Sequence, residues 1–194
     1  MPIGRRWCSV TAVILSSVLT AGLMTGCGDD PPTKEIQQAQ QAIDTAKSAG
    51  AERYAADEFN AAQTALKHAQ DSVVARDYRQ ALNDALDARD RAQTAAKDGA
   101  DKKAAVKEEV DRSLHDTALA IVDARAKLRA AETARRPQRV LIPVRRSIAD
   151  AEMHVQEART AFDHGDYLDA QSLLTTTRTK LGDSVRVLES FGKK

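Results

Sequence analysis

The sequence predicts an all-α protein of long antiparallel helices, arranged in two related helical-hairpin units with coiled-coil-like packing. Three observations carry this. Alanine fills 33 of the 168 positions from Cys27 onward; it is the best helix former, and its small side chain lets helices approach closely. Nearly all of the six glycines and four prolines of that stretch stand where a helix has to stop. Apolar residues recur three and four apart through most of it, the spacing of one helical face. Only 4% of the 194 residues are aromatic, and β-branched runs are few, which leaves little from which to build a sheet. A β-sandwich, a β-barrel and a doubly wound α/β enzyme are excluded. A core of Ala with sparse Leu, Val and Ile buries modest apolar area per helix, so stability has to come from long helices packed along their length.

Residues 1–26 read as a targeting segment, to be left out of the fold. Arg5 and Arg6 give a positive start, and Val10 to Leu23 runs almost wholly apolar. That run is short for a membrane span, which needs roughly 20 residues. Met24-Thr25-Gly26-Cys27 closes it. The arrangement resembles a bacterial lipoprotein signal, whose lipobox ends in a small residue before the cysteine to be lipidated. The resemblance implies cleavage before Cys27 and acylation of Cys27, palmitate included. Of the two cysteines, Cys8 leaves with the signal, so no disulfide and no cysteine metal site follow. Two or more acyl chains make a stable anchor, because each buried CH₂ contributes about 0.8 kcal/mol. By resemblance to Gram-negative sorting rules, Gly28 after the cysteine implies the outer membrane, with the body facing the periplasm. Residues 27–33 form the lipidated cysteine and a short tether, stiffened by Pro31 and Pro32. Thr33 is the expected N-cap of the first helix.

That helix is expected from Lys34 to Ala49, with Ile36, Ala39, Ile43 and Ala46 on one face and Gly50 ending it. The second carries Phe59, Ala62, Leu66, Ala69 and Val73, and the third Tyr78, Ala81, Leu82, Ala85, Leu86, Arg89, Ala92 and Ala96. Gly99 either stops the third helix or only weakens it. The pattern resumes through Val106, Val110, Leu114, Ala118, Ile121, Arg125 and Leu128, so Tyr78 to Arg135 is one helix or two. Pro137 and Pro143 are expected to interrupt the chain. Two more helices follow, one on Val144, Ile148, Ala151, Val155, Ala158 and Phe162, the other on Tyr167, Ala170, Leu174, Thr177, Leu181, Val185 and Leu188.

Positions 89 apart reveal an internal repeat. The run Val73 to Ala81 lies opposite Phe162 to Ala170, and both contain Asp-Tyr, at Asp77-Tyr78 and Asp166-Tyr167. Upstream, Phe59, Ala62, Leu66 and Ala69 match Ile148, Ala151, Val155 and Ala158. Each aspartate is expected to cap the next helix while the tyrosine packs back over the turn. The chain thus divides into unit 1 (34–100) and unit 2 (101–194), each covering its apolar face on the other.

Gly165-Asp166-Tyr167 with Ala170 resembles the GDY-x-x-A turn of tetratricopeptide repeats, which implies similar helix packing. Closer is the resemblance to alanine-rich helical bacterial lipoproteins that carry a domain of unknown function. It rests on Ala42 to Ala46, Ala49 to Ala55, Ala61 to Ala69, and Ala75-Arg76-Asp77-Tyr78 with Ala81, and covers Lys34 to Lys103. Members often have an OmpA-like, peptidoglycan-binding domain behind the helices; here the second helical unit follows. The resemblance brings no activity with it.

No catalytic signature is present: no G-x-x-x-x-G-K, no G-x-S-x-G and no H-E-x-x-H. The residues three before His68, His115, His154 and His164 are Ala65, Arg112, Ala151 and Ala161, so the Glu-x-x-His pairs of a di-iron bundle are missing. The histidines read as surface or turn residues, and no metal or cofactor is expected. The segment Arg135 to Arg146 holds five arginines (Arg135, Arg136, Arg139, Arg145, Arg146) around an apolar centre. It is either a docking site for an anionic partner or a helix connection with arginines set against a helix C-terminus. Residues 27–100 carry 9 basic and 13 acidic side chains, and residues 101–194 carry 18 and 15. This near balance argues against nucleic acid. The C-terminal Lys194 permits a covalent link to peptidoglycan, as in the helical lipoprotein that ties the outer membrane to the wall. The expected protein is a non-enzymatic, membrane-anchored envelope lipoprotein that binds an envelope protein partner. Two alternatives are a structural spacer between outer membrane and peptidoglycan, and a small-ligand carrier.

Overall fold

The computed structural model describes residues 30–190. Six helices make it all-α: α1 (Thr33–Ser48), α2 (Ala51–Tyr54), α3 (Ala56–Val74), α4 (Tyr78–Thr133), α5 (Gln138–Asp163) and α6 (Tyr167–Ser190). They form two three-helix bundles built on one shared helix. In the first, Ala39, Ile43 and Ala46 of α1 pack with Phe59, Ala62 and Leu66 of α3 and with Ala88, Ala92 and Ala95 of α4. In the second, Val110, Leu114, Ile121 and Ala124 of the same α4 pack with Val144, Ile148 and Val155 of α5 and Leu174, Leu181 and Leu188 of α6. The two cores have no residue in common. The hairpins therefore do not cover each other as the repeat suggested: α1 completes the first core and the distal half of α4 completes the second.

Helix α4 has 56 residues and so is about 84 Å long at 1.5 Å per residue. Gly99 neither stops nor frays it. A Cβ at Gly99 would lie 2.8 Å from Ala51 Cα, so the missing side chain lets α4 touch the backbone of α2. That contact offsets the roughly 1 kcal/mol of helix propensity that glycine forfeits. Alongside α4, α6 runs parallel in fixed register: Gln171 donates to Glu109 at 2.9 Å and Lys127 to Glu189 at 2.8 Å, both pairs 62 residues apart. Helix α5 runs antiparallel to both, joined to α4 by Arg145–Glu132 and Arg125–Glu152.

Pro143 also departs from expectation, for it lies inside α5. Its missing N–H removes only one bond, to the carbonyl of Arg139, in an exposed second turn. Buried Val140, Leu141, Val144 and Ile148 hold the helix across it. Pro32, rather than Thr33, takes the cap position of α1; its carbonyl accepts from Ile36 N–H at 3.1 Å, so the helix begins one residue early.

The repeated turn is the same structure twice. At the end of α3, Asp77 N–H donates to Ser72 C=O and Arg76 N–H to Val73 C=O. At the end of α5, Asp166 N–H donates to Ala161 C=O and Gly165 N–H to Phe162 C=O. Both are Schellman closures, with Arg76 (φ 60) and Gly165 (φ 85) in the left-handed position. Asp77 then caps α4, accepting from Gln80 N–H at 3.0 Å. The Asp166 carboxylate is instead taken by Arg53, which donates to it at 2.9 Å and to Asp169 at 3.2 Å. Asp166 first, then Asp169, raises the Arg53 pKa against the opposing cost of burial. This clamp ties α2 of the first bundle to the start of α6 in the second. Beside it, Tyr54 is buried with no hydrogen-bond partner for its hydroxyl among the described residues, and burial pushes its phenol pKa up.

Candidate functional site

The arginine segment is shaped by the way α4 ends. The last carbonyls of a helix need donors, and here Arg136 N–H meets Ala131 C=O at 3.1 Å while Arg135 N–H meets Glu132 C=O at 2.9 Å. Arg135 consequently holds φ 54, a conformation costing a non-glycine residue roughly 1–2 kcal/mol. Pro137 is extended (φ −59, ψ 134) and starts α5, whose first turn carries Arg139.

These constraints divide the five arginines. Arg135, Arg136 and Arg139 stand at the tip of the α4–α5 turn, with no ion pair among the described residues. Arg136 borders a cleft of about 250 Å³ with Ala130, Ala134 and Leu188. Arg145 is a strut: its Nε and Nη2 both reach Glu132 Oε1, at 2.8 and 2.6 Å, binding α5 back to α4. Arg146 lies away from the tip, in a groove between α5 and α6. Half-buried Arg136 and exposed Ile142 give the tip an apolar element among its cations.

The opposite pole is also defined. Ala51 abuts Gly99, and α1 shares its core with Ala88, Ala92 and Ala95, so α1 runs parallel to the proximal part of α4. Its start at Thr33 therefore sits beside the α3–α4 turn. The chain arriving from residues 30–32 enters at one end of the rod, and Arg135, Arg136 and Arg139 stand at the other. Helix α6 also ends at the arginine pole, where Glu189 holds Lys127.

Of the remaining candidates, Cys27 with its lipobox and Lys194 lie outside the described residues. His68, His115 and His164 are exposed, whereas His154 is half-buried in the α5–α6 groove against Thr177. Asp150, His154, Thr177, Lys180 and Ser184 line that groove with Arg146; of these, the sequence put forward Arg146 as a binding residue, read His154 as a surface or turn histidine and set Thr177 on a helix face. Among the described residues, no three His, Cys, Asp or Glu side chains come together as a metal site, and no helix is long and apolar enough to cross a membrane.

No curated protein and no solved structure matches the chain. Residues 34–111 do match a family model. They span the first bundle and carry α4 on to Asp111, in line with the domain of unknown function expected over Lys34 to Lys103. This stretch holds a domain of unknown function, DUF4398.

Proposed function

We propose that the chain is a non-enzymatic lipoprotein of the cell envelope, anchored through Cys27 at one pole and binding an envelope protein partner with the arginines of the other. One observation supports this most: Arg135, Arg136 and Arg139 have no ion pair among the described residues and stand at the end of the rod opposite the start of α1. Clustered cations at the end of the rod favour an anionic surface and steer its approach. The test is photo-crosslinking in living cells from a probe at Gln138, in the parent and in the Arg135→Gly, Arg136→Ala, Arg139→Ala variant. A discrete envelope protein captured by the parent and lost in the variant is the expected result. Equal capture by both, or capture of abundant porins alone, defeats the proposal.

The length of α4 favours a second reading, a spacer reaching from outer membrane to peptidoglycan. Lys194 follows α6, which ends at the arginine pole, so a wall link there would tie the far end of the rod. A spacer sediments with purified cell wall and yields muropeptides on its C-terminal tryptic fragment; an unmodified Lys194 throughout removes this reading.

A further inference from the structure

The repeat supplies an internal control for the α5–α6 groove. The buried registers agree at the 89-residue offset: Phe59 with Ile148, Ala62 with Ala151, Leu66 with Val155, Ala85 with Leu174 and Ala92 with Leu181. On the neighbouring stripe they diverge. Ala61, Ala65, Ala88 and Ala95 of the first hairpin correspond to Asp150, His154, Thr177 and Ser184 of the second. In the first bundle, Ala65, Ala88 and Ala95 are buried in the core that α1 completes. In the second, no residue of α4 lines the equivalent seam, and it stays open as a groove of about 380 Å³. Alanine satisfies the hairpin where the seam is filled; the unfilled seam is polar.

The groove's chemistry is specific. Thr177, 2% exposed, donates its hydroxyl proton to Leu173 C=O at 2.7 Å. Its oxygen is then an acceptor, and the 3.3 Å contact with His154 Nδ1 requires the proton on Nδ1. In this tautomer Nε2 is left as an acceptor. Arg146 on α5 and Lys180 on α6 have no ion-pair partner among the described residues, nor has Asp150, while Asp183 is taken by Arg186 at 3.0 Å. Two free cations beside one free carboxylate and an imidazole acceptor suit neither a bare anion, which would face Asp150, nor a bare cation, which would face Arg146 and Lys180. They suit a ligand with both charges. The volume lies within the range of small-molecule sites.

We propose that this groove binds a small zwitterion of the amino acid or short-peptide class. Its carboxylate is held by Arg146 and Lys180, and its ammonium by Asp150 and His154 Nε2. The site is separate from the arginine pole, and its test does not depend on the anchor.

The experiment is an NMR titration of the full mature protein with L-alanyl-L-alanine, beside acetate, methylammonium and inorganic phosphate. Dialanine should give saturable shifts confined to groove residues, the His154 ring nitrogens among them. Affinity should fall about tenfold or more in Arg146→Gln and in Asp150→Asn, as expected for a lost charge-assisted hydrogen bond, and stay unchanged in Arg139→Gln. The variant Asp150→Ala, His154→Ala, Ser184→Ala copies the first hairpin at three of the four divergent positions, keeps Thr177, and should fold with an unchanged melting temperature while losing dialanine. No saturable shift with dialanine overturns the proposal. So does binding of acetate or phosphate equal to dialanine and insensitive to Asp150→Asn, which marks a plain anionic site. Unfolding of the alanine variant also overturns it, since the polar set is then structural.

Discussion

Gly99 and Gly182 both lie inside helices, yet alanine at the two positions should act with opposite signs. In an exposed helix, Gly→Ala stabilises by about 1 kcal/mol through propensity and chain entropy. At Gly182 no atom of the described residues lies within 4 Å of the added Cβ, so the gain should appear in full. At Gly99 the Cβ would stand 2.8 Å from Ala51 Cα and 3.0 Å from Ala51 N. Those are backbone atoms that no rotamer change can move aside. Overpacking of this kind costs roughly 1–3 kcal/mol, and a backbone clash belongs to the upper half of that range. Subtracting the propensity gain leaves a net loss of about 1–2 kcal/mol, or about 2–8 °C in Tm for a chain of this size. Thermal melts followed by circular dichroism at 222 nm read both variants. A rise in Tm for Gly99→Ala equal to that for Gly182→Ala would refute the close approach of α4 to α2, and with it the account of an unbroken α4.

The same joint yields further tests. Arg53→Ala should cost under about 1 kcal/mol, because the clamp is half exposed; hydrogen exchange in the α5–α6 turn should nevertheless quicken, and high salt should mimic the variant. Tyr54→Phe removes a buried hydroxyl that has no partner among the described residues and should leave stability unchanged or raise it by about 1 kcal/mol. Burial raises the Tyr54 pKa. The stability it contributes is thus full below the ordinary tyrosine value near 10 and lost as pH climbs through the folded value. Lys127, raised mainly by Glu189 and then Asp123, acts in the same direction, so urea melts should weaken at alkaline pH, less steeply in Tyr54→Phe. Pro143→Ala restores the donor to Arg139 C=O and should stabilise by about 1–3 kcal/mol, a gain that urea melts at neutral pH measure directly.

Much of the fold was legible because its determinants are local. The three-and-four spacing places Ile43, Leu66, Leu114, Val155 and Leu181 on buried faces, and the Asp-Tyr match marks two turns with the same closure. What the sequence hides is non-local. Nothing beside Gly99 announces Ala51, and a proline in the second turn of a helix is tolerated only because Val140, Leu141 and Val144 find a core. The arginine segment shows in the sequence as one cluster, yet helix phase sends Arg145 to Glu132 and Arg146 into a different groove. The polar groove left a trace in the repeat itself, in the positions where the two copies disagree: Ala61 against Asp150, Ala65 against His154.

The most direct measurement of the arrangement that separates tether from arginines is single-molecule energy transfer between dyes at Lys34 and Gln138. Ala51 abuts Gly99, which sets Lys34 about level with residue 82 of α4 and leaves roughly 75 Å of helix between the two labels. Negligible transfer in a single narrow population is the predicted result. High transfer, from a chain folded back on itself near Gly99, would contradict the shared helix and the opposite poles that rest on it.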